Sequence, residues 1–138
     1  MRRRVFDTNI YVDWINSGLH EDVLFERGIV RHMSAVVLME LRAGAFAPKD
    51  RRLIERLERT FRAVERLVVP SQVVYSDAGD VLRLLQSRRG YRLRASHSIV
   101  NDVLIALSAR TIGATVVTQN RDDYRAIHSI RPFQLQVV

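Results

Sequence analysis

Cysteine is absent from the 138 residues, which excludes a disulfide framework, a thiolate zinc site and a cysteine nucleophile. That composition suits a reducing, cytoplasmic setting. Proline occurs only three times, and no stretch approaches the roughly 20 consecutive apolar residues of a transmembrane helix, so no membrane association is expected. Arg2-Arg3-Arg4 does not begin an export signal, because Asp7 and Asp13 fall where an apolar core would have to lie. Lysine is almost missing too: of 22 basic residues all but Lys49 are arginine, a bias that the base composition of the coding genome explains better than phosphate recognition does. The chain carries no internal repeat, low-complexity tract or linker.

What remains is 47% hydrophobic and 27% charged, the balance of a soluble globular protein, and residues 1–138 are expected to form one domain. The net charge of +7 and pI near 10.9 point to a polyanionic partner, most simply nucleic acid, because clustered cations release condensed counterions on meeting phosphates.

Arg4-Val5-Phe6 reads as a strand that stops at Asp7, and Ile10, Tyr11, Trp14 and Ile15 follow at helical spacing. A short helix over 21–27, a strand over 29–33 and a helix over 35–43 capped by Ser34 come next. Leu53, Ile54, Leu57, Phe61 and Val64 make one apolar stripe on an amphipathic helix over 49–65. Further elements are a strand over 66–70, a long helix opened by Ser71 and stopped at Gly90, and an apolar helix over 99–112 capped by Ser98. A strand over 114–118, a short helix after the turn at Gln119-Asn120 and a fifth strand over 133–138 complete the chain. This alternation predicts a three-layer α/β domain with a mainly parallel sheet of about five strands.

Four acids stand in apolar company. Asp7 falls at a strand's carboxyl end, where α/β sheets place their ligand sites, although an N-capping role would account for it locally. Glu40 lies within Val36-Val37-Leu38-Met39-Glu40-Leu41, and Asp102 within Val100-Asn101-Asp102-Val103-Leu104. A buried acid must be paired, hydrogen-bonded, protonated or bound to a cation. For Glu40 the competing explanation is an ion pair with Arg42 or another arginine; for Asp102 it is capping with Ser98. Asp122 and Asp123 again follow a strand end. Taken together the acids suggest one carboxylate cluster on a sheet edge, suited to a hard cation such as Mg²⁺ or Mn²⁺. In a basic protein that points to metal-assisted phosphodiester chemistry.

Phe6-Asp7-Thr8-Asn9, Glu40 in its apolar helix, Asp102-Val103-Leu104-Ile105-Ala106 and Thr118-Gln119-Asn120-Arg121-Asp122-Asp123-Tyr124 occur in this order, and with them the chain resembles a PIN-domain ribonuclease of the VapC toxin type. The resemblance spans residues 4 to 124. It implies a compact α/β/α domain, often dimeric, that hydrolyses RNA with divalent metal and is held inactive by a VapB antitoxin. By resemblance Asp7, Glu40 and Asp102 are the core acids and Asp123, before Tyr124, is the fourth, with Asp122 its rival. Thr8, Asn9, Thr118 and Asn120 match supporting positions.

The expectation is therefore that Asp7, Asp102 and Asp123, with Glu40 close by, hold Mg²⁺ or Mn²⁺ that activates water against an RNA phosphodiester. The ribose 3′ oxygen would leave, and the resemblance implies 5′-phosphate and 3′-hydroxyl products. His20, His32, His97 and His128 show no spacing that supports a 2′-hydroxyl mechanism. Arg88, Arg89, Tyr91, Arg92 and Arg94 would either grip an RNA backbone or form a solvated basic loop. Two other readings are a catalytically idle nucleic-acid- or partner-binding domain and a receiver-like signalling module. The receiver needs an aspartate after its middle strand and a lysine near a later one, which Val69-Pro70-Ser71 and Lys49 do not supply.

Overall fold

A computed structural model describes residues 2–138, with the side chain of His97 outside the described set. Strand β1 (Arg2–Phe6) leads directly into helix α1 (Thr8–Ser17), which ends where Gly18 adopts φ 68 and returns its N–H to the carbonyls of Asp13 and Trp14. Helix α2 (Glu21–Leu24) is a single turn, shorter than the apolar residues Val23 to Phe25 predict. Strand β2 (Ile29–Ser34) follows. The Ser34 hydroxyl then accepts from the amides of Val36 and Val37, starting α3 (Ala35–Ala43) as its sequence predicts.

Helix α4 (Pro48–Ala63) opens with proline in its first turn, where the missing N–H costs nothing. It stops before Val64, because Glu65 takes φ 57, and Val64 leaves the expected stripe to stand exposed. Of that stripe only Ile54 is fully buried. Strand β3 (Leu67–Val68) is cut to two residues, since Pro70 lacks the N–H that a longer ladder requires. Helix α5 (Gln72–Arg89) is capped by the Ser71 hydroxyl on the amide of Val74 and stops at Gly90, φ 68. Helix α6 (His97–Thr111) begins two residues before the expected position: Ser96, not Ser98, is its N-cap residue, and Ser96 makes no side-chain capping bond. Strand β4 (Thr115–Thr118), helix α7 (Arg121–Ile130) and strand β5 (Gln134–Val137) close the domain.

The five strands form one sheet in the order β3-β2-β1-β4-β5, and every pairing is parallel. The sheet is thus wholly rather than mainly parallel. Its order also departs from the 2-1-3-4-5 of receiver-like domains, which removes that reading. Each parallel connection needs a crossover, and right-handedness puts crossovers that advance in opposite directions on opposite faces. Packing follows: α3 contacts α1 and α4, while α5, α6 and α7 contact one another. Between these layers Val5, Phe6, Val116 and Val117 of the central strands are buried with Ile10, Val37, Val81, Leu85, Ile105 and Ile127. At the centre of a parallel sheet both faces are covered, so these strands read as continuous apolar runs rather than alternating ones. No helix among the described residues is long and apolar enough to cross a membrane.

Candidate active site

The strand order fixes where a site can form. The chain steps from β1 outward to β2 and β3, then crosses back to lay β4 on the other side of β1. At such a reversal the loops leaving two neighbouring strands part in opposite directions and open a crevice at the carboxyl edge. Asp7 follows β1 at this edge, and its own N–H still donates to the carbonyl of Val117 at 2.9 Å. Asn120 and Asp123 follow β4. Helix α6 runs back from this edge toward the start of β4, so its second turn brings Asn101 and Asp102 there. Helix α3 leaves β2 at the same edge and carries Glu40 in its second turn. The result is a cleft of about 480 Å³ lined by Asp7, Asn9, Asp13, Glu40, Asp102 and Asn120, among others.

Each carboxylate is turned onto neutral donors. Asp7 Oδ1 accepts from the Thr8 amide at 2.8 Å and its Oδ2 from the Thr118 hydroxyl at 2.6 Å. Thr118 in turn accepts from the Asn120 amide at 2.9 Å, so its single hydroxyl joins the ends of β1 and β4. Glu40 Oε1 accepts from the Thr8 hydroxyl at 2.6 Å and its Oε2 from Asn101 Nδ2 at 3.4 Å. Asn120 Nδ2 donates to both Asp102 Oδ2, at 3.2 Å, and Asp123 Oδ2, at 3.1 Å. The Tyr124 hydroxyl donates to Asp102 Oδ1 at 3.4 Å, and that of Tyr91 to Asp123 Oδ1 at 2.6 Å.

Charge in this cleft is not neutralised. Among the described residues no arginine or lysine pairs with Asp7, Glu40, Asp102 or Asp123. Arg42, the expected partner of Glu40, instead meets Glu58 at 2.9 Å, because α4 packs beside α3 and offers that acid. Arg121 pairs with Asp122 at 3.0 Å. Burial, with Asp102 only 5% exposed, and then the charges of Asp7, Glu40 and Asp123 push the Asp102 carboxyl up to about 8, against the pull of the Tyr124 hydroxyl. Burial also raises Asp7, opposed by its bonds from Thr118 and Thr8 and reinforced by the Glu40 charge. Tyr124, deeply buried and facing Asp7 and Asp102, is held well above the usual phenol range. An acid kept partly protonated by its neighbours is poised to exchange that proton for a cation.

Among the described residues no three Asp, Glu or His side chains converge on one ready-made cation position. Mg²⁺ does not require this, since it commonly binds through one or two carboxylates and keeps several waters. Oxygen donors and excess negative charge suit a hard divalent ion; Asp7 and Asp102 line the cleft, and Asp123 is joined to Asp102 through Asn120.

Of the predicted residues, Asp7, Thr8, Asn9, Glu40, Asp102, Thr118, Asn120 and Asp123 come together here. Asp122 does not: its side chain is 84% exposed and turned to Arg121. Asp102 takes no bond from Ser98, the capping partner considered for it. Arg88, Arg89, Arg92 and Arg94 are exposed and do not line the cleft. His32 lies in β2 and His128 packs on Phe133; neither lines the cleft. His20 reaches only the rim, 3.4 Å from Asp13. Sequence reasoning passed over Asn101, which holds Glu40, and Asp13, which lines the cleft and accepts from Gln119 Nε2 at 2.7 Å. No spacing signal marked either residue, since each is a single polar position on an amphipathic or apolar helix.

Fold and site together define a wholly parallel α/β domain with carboxylates, unpaired by any cation among the described residues, gathered at a strand-order reversal. The sequence matches the PIN domain family over residues 4–128, and the chain belongs to that family. Among solved structures, VapBC-1 from nontypeable Haemophilus influenzae is similar over 98% of this chain and 97% of that one, with TM-score 0.69 and 24% identity. VapBC2 from Rickettsia felis, bound to a DNA fragment from their promoter, gives TM-score 0.68 and 23% identity, covering 99% and 98%. VapBC-5 from Mycobacterium tuberculosis, of the VapBC family of toxin-antitoxin systems, gives TM-score 0.64 and 20% identity, covering 100% of both chains. At these identities the likeness is one of fold. Comparison with the curated proteins finds no match.

Proposed function

We propose that this chain is a cytoplasmic, Mg²⁺- or Mn²⁺-dependent endoribonuclease acting as the VapC-type toxin of a toxin-antitoxin pair, paired with a second copy of itself and restrained by a VapB-type antitoxin. The observation that carries the nuclease reading is the cluster of Asp7, Glu40, Asp102 and Asp123 without a cationic partner among the described residues, in a chain of net charge +7. Membership of the PIN domain family and structural likeness to toxin-antitoxin complexes support the toxin and antitoxin parts.

Asp7 and Asp102 would hold the cation, with Asp123 completing the ligand set directly or through water. When bound, the ion would supply Lewis acidity, lowering the pKa of water and offsetting charge on the phosphoryl oxygens. Thr118 and Thr8 fix the Asp7 carboxylate so that little reorientation remains to be made on binding. Thr8 and Asn101 aim Glu40, which is placed to accept a proton from the attacking water. Water oxygen forms the new bond to phosphorus as the bond to the ribose 3′ oxygen breaks, leaving a 5′-phosphate and a 3′-hydroxyl.

Cleavage of defined transfer RNAs and total RNA by the purified protein with Mg²⁺, Mn²⁺ or EDTA, beside Asp102→Asn, tests the reading. Metal-dependent cutting that vanishes in the variant is the expected result. Equal cutting by both proteins would refute it, as would no cutting by wild type shown free of bound antitoxin. Light scattering tests the dimer.

A further inference from the structure

A second hollow, of about 640 Å³, lies between the last turns of α5 and the segment that follows, bounded by Gln86, Tyr91, Arg92, Leu93 and Arg94, and is joined to the acid cluster through the Tyr91 hydroxyl on Asp123. Gly90, at φ 68, turns the chain sharply out of α5, a conformation that glycine adopts without strain. The turn is then held by the amides of Ala95 and Ser96 on the Arg92 carbonyl, at 3.0 and 2.9 Å. Arg92 and Arg94 are therefore presented to solvent from a hydrogen-bonded loop rather than a loose tail. Arg88 and Arg89 stand exposed on the adjoining end of α5. Among the described residues none of these four arginines meets an acid, although the chain elsewhere pairs seven basic groups with carboxylates.

Tyr91 connects this patch to the chemistry. Its ring packs against the core and its hydroxyl donates to Asp123 at 2.6 Å, while Asp123 shares the Asn120 amide with Asp102. A stacking role for Tyr91 therefore gives way to a positioning one. Cations at this place answer an electrostatic problem: a carboxylate-lined cleft repels a phosphate backbone unless neighbouring charge draws the strand in. Leu93, half-buried in the same wall, offers apolar surface to a base. A concave groove with cations for the backbone and an apolar wall is the pattern that single strands favour.

We infer that the hollow between α5 and the 90–96 loop is a single-stranded RNA subsite, held in register with the acid cleft by the Tyr91–Asp123 hydrogen bond. The inference rests on the ribonuclease reading above and adds where the strand lies. The test is fluorescence anisotropy of a short labelled single-stranded RNA in EDTA, which silences cleavage, measured against salt for wild type, Arg92→Gln/Arg94→Gln and Arg92→Lys/Arg94→Lys. The glutamine variant should bind about tenfold more weakly and lose about 1.4 from the slope of log K against log salt, since each single-strand phosphate contact contributes about 0.7. The lysine variant should keep the slope, and thermal melting and Mn²⁺ titration should be unchanged in both. Tyr91→Phe should lower kcat several-fold with KM and RNA affinity in EDTA unchanged, a split that general loss of structure would not give.

A wild-type slope and affinity in the glutamine variant, with wild-type protein still cutting RNA, overturns the subsite and leaves the ribonuclease reading standing. Binding of duplex RNA as tight as that of the single strand, with the same response to the variants, overturns its single-strand character. Wild type that neither binds nor cuts RNA removes both.

Discussion

Asp102→Asn should stabilise the metal-free protein, and the gain should grow with pH. Burial and the surrounding acids hold the Asp102 carboxyl at about 8 in the folded protein, against an ordinary value of 3.8. Between about pH 4 and 8 the folded state keeps a proton that the unfolded chain has released, so stability falls as pH rises through that window. Below it both states are protonated and the contribution is nil. One such group changes stability by at most about 1.4 kcal/mol per pH unit, which sets a limit of about 3 kcal/mol between pH 5 and 7. Relaxation of Asp7 and Tyr124 brings the expected gain to about 1–3 kcal/mol. Asparagine fits the site, because its oxygen can take the Asn120 donor while its amide donates to the Tyr124 hydroxyl, leaving that hydroxyl to serve Asp7.

Urea denaturation in EDTA at three pH values between 5 and 7 reads the difference directly. Equal or lower stability of the variant at pH 7, or a gap that does not widen from pH 5, would refute the reasoning. Adding Mn²⁺ should invert the order. At a thousandfold excess over its Kd an ion adds about 4.1 kcal/mol to the state that binds it, more than the gap to be overcome, and wild type should gain this while the variant gains little.

Three further substitutions test other parts of the account. Thr118→Val removes the donor to Asp7 and the acceptor for the Asn120 amide; it should cost about 2–3 kcal/mol in urea denaturation and abolish metal-dependent cleavage. Retained stability would mean that the hydroxyl does not join β1 to β4. Tyr11→Phe should leave stability unchanged or raise it by about 1 kcal/mol, because the Tyr11 hydroxyl is buried without a hydrogen-bond partner among the described residues; a clear loss of thermal stability would reveal a partner. Ser34→Ala should cost about 1 kcal/mol by leaving the amides of Val36 and Val37 without their acceptor, and an unchanged urea midpoint would show that backbone geometry alone starts α3.

Much of the fold was legible because the signals that set it are local. The helical spacing after Asp7, the Ser34 and Ser71 caps and the stop at Gly90 act within a turn or two of chain, and each lies where the pattern places it. The errors are also local, at ends where two signals competed. Ser98 sits in the first turn of α6 rather than before it, and β3 is cut short beside Pro70. The pairing of Glu40 was not legible. Arg42 is its neighbour in sequence, yet that arginine turns to Glu58 on α4, 16 residues away, while Thr8 and Asn101 reach Glu40 from elements 32 and 61 residues distant.

By itself the sequence determined the element types, the α/β class and the four acids set among apolar neighbours. Only the tertiary structure decided which of them meet. The reversal in strand order between β1 and β4 brings Asp7 and Asn120 to one crevice, and the direction of α6 delivers Asp102 to it. The docking of α7 turns Asp123 inward and leaves Asp122 in solvent. Adjacent residues on a helix point about 100° apart, so only the face that α7 buries could separate that pair. Tyr91 and Asp123, 32 residues apart, meet for the same reason: hydrogen bonds and charges act over a few ångströms, and those distances exist only once the layers have packed.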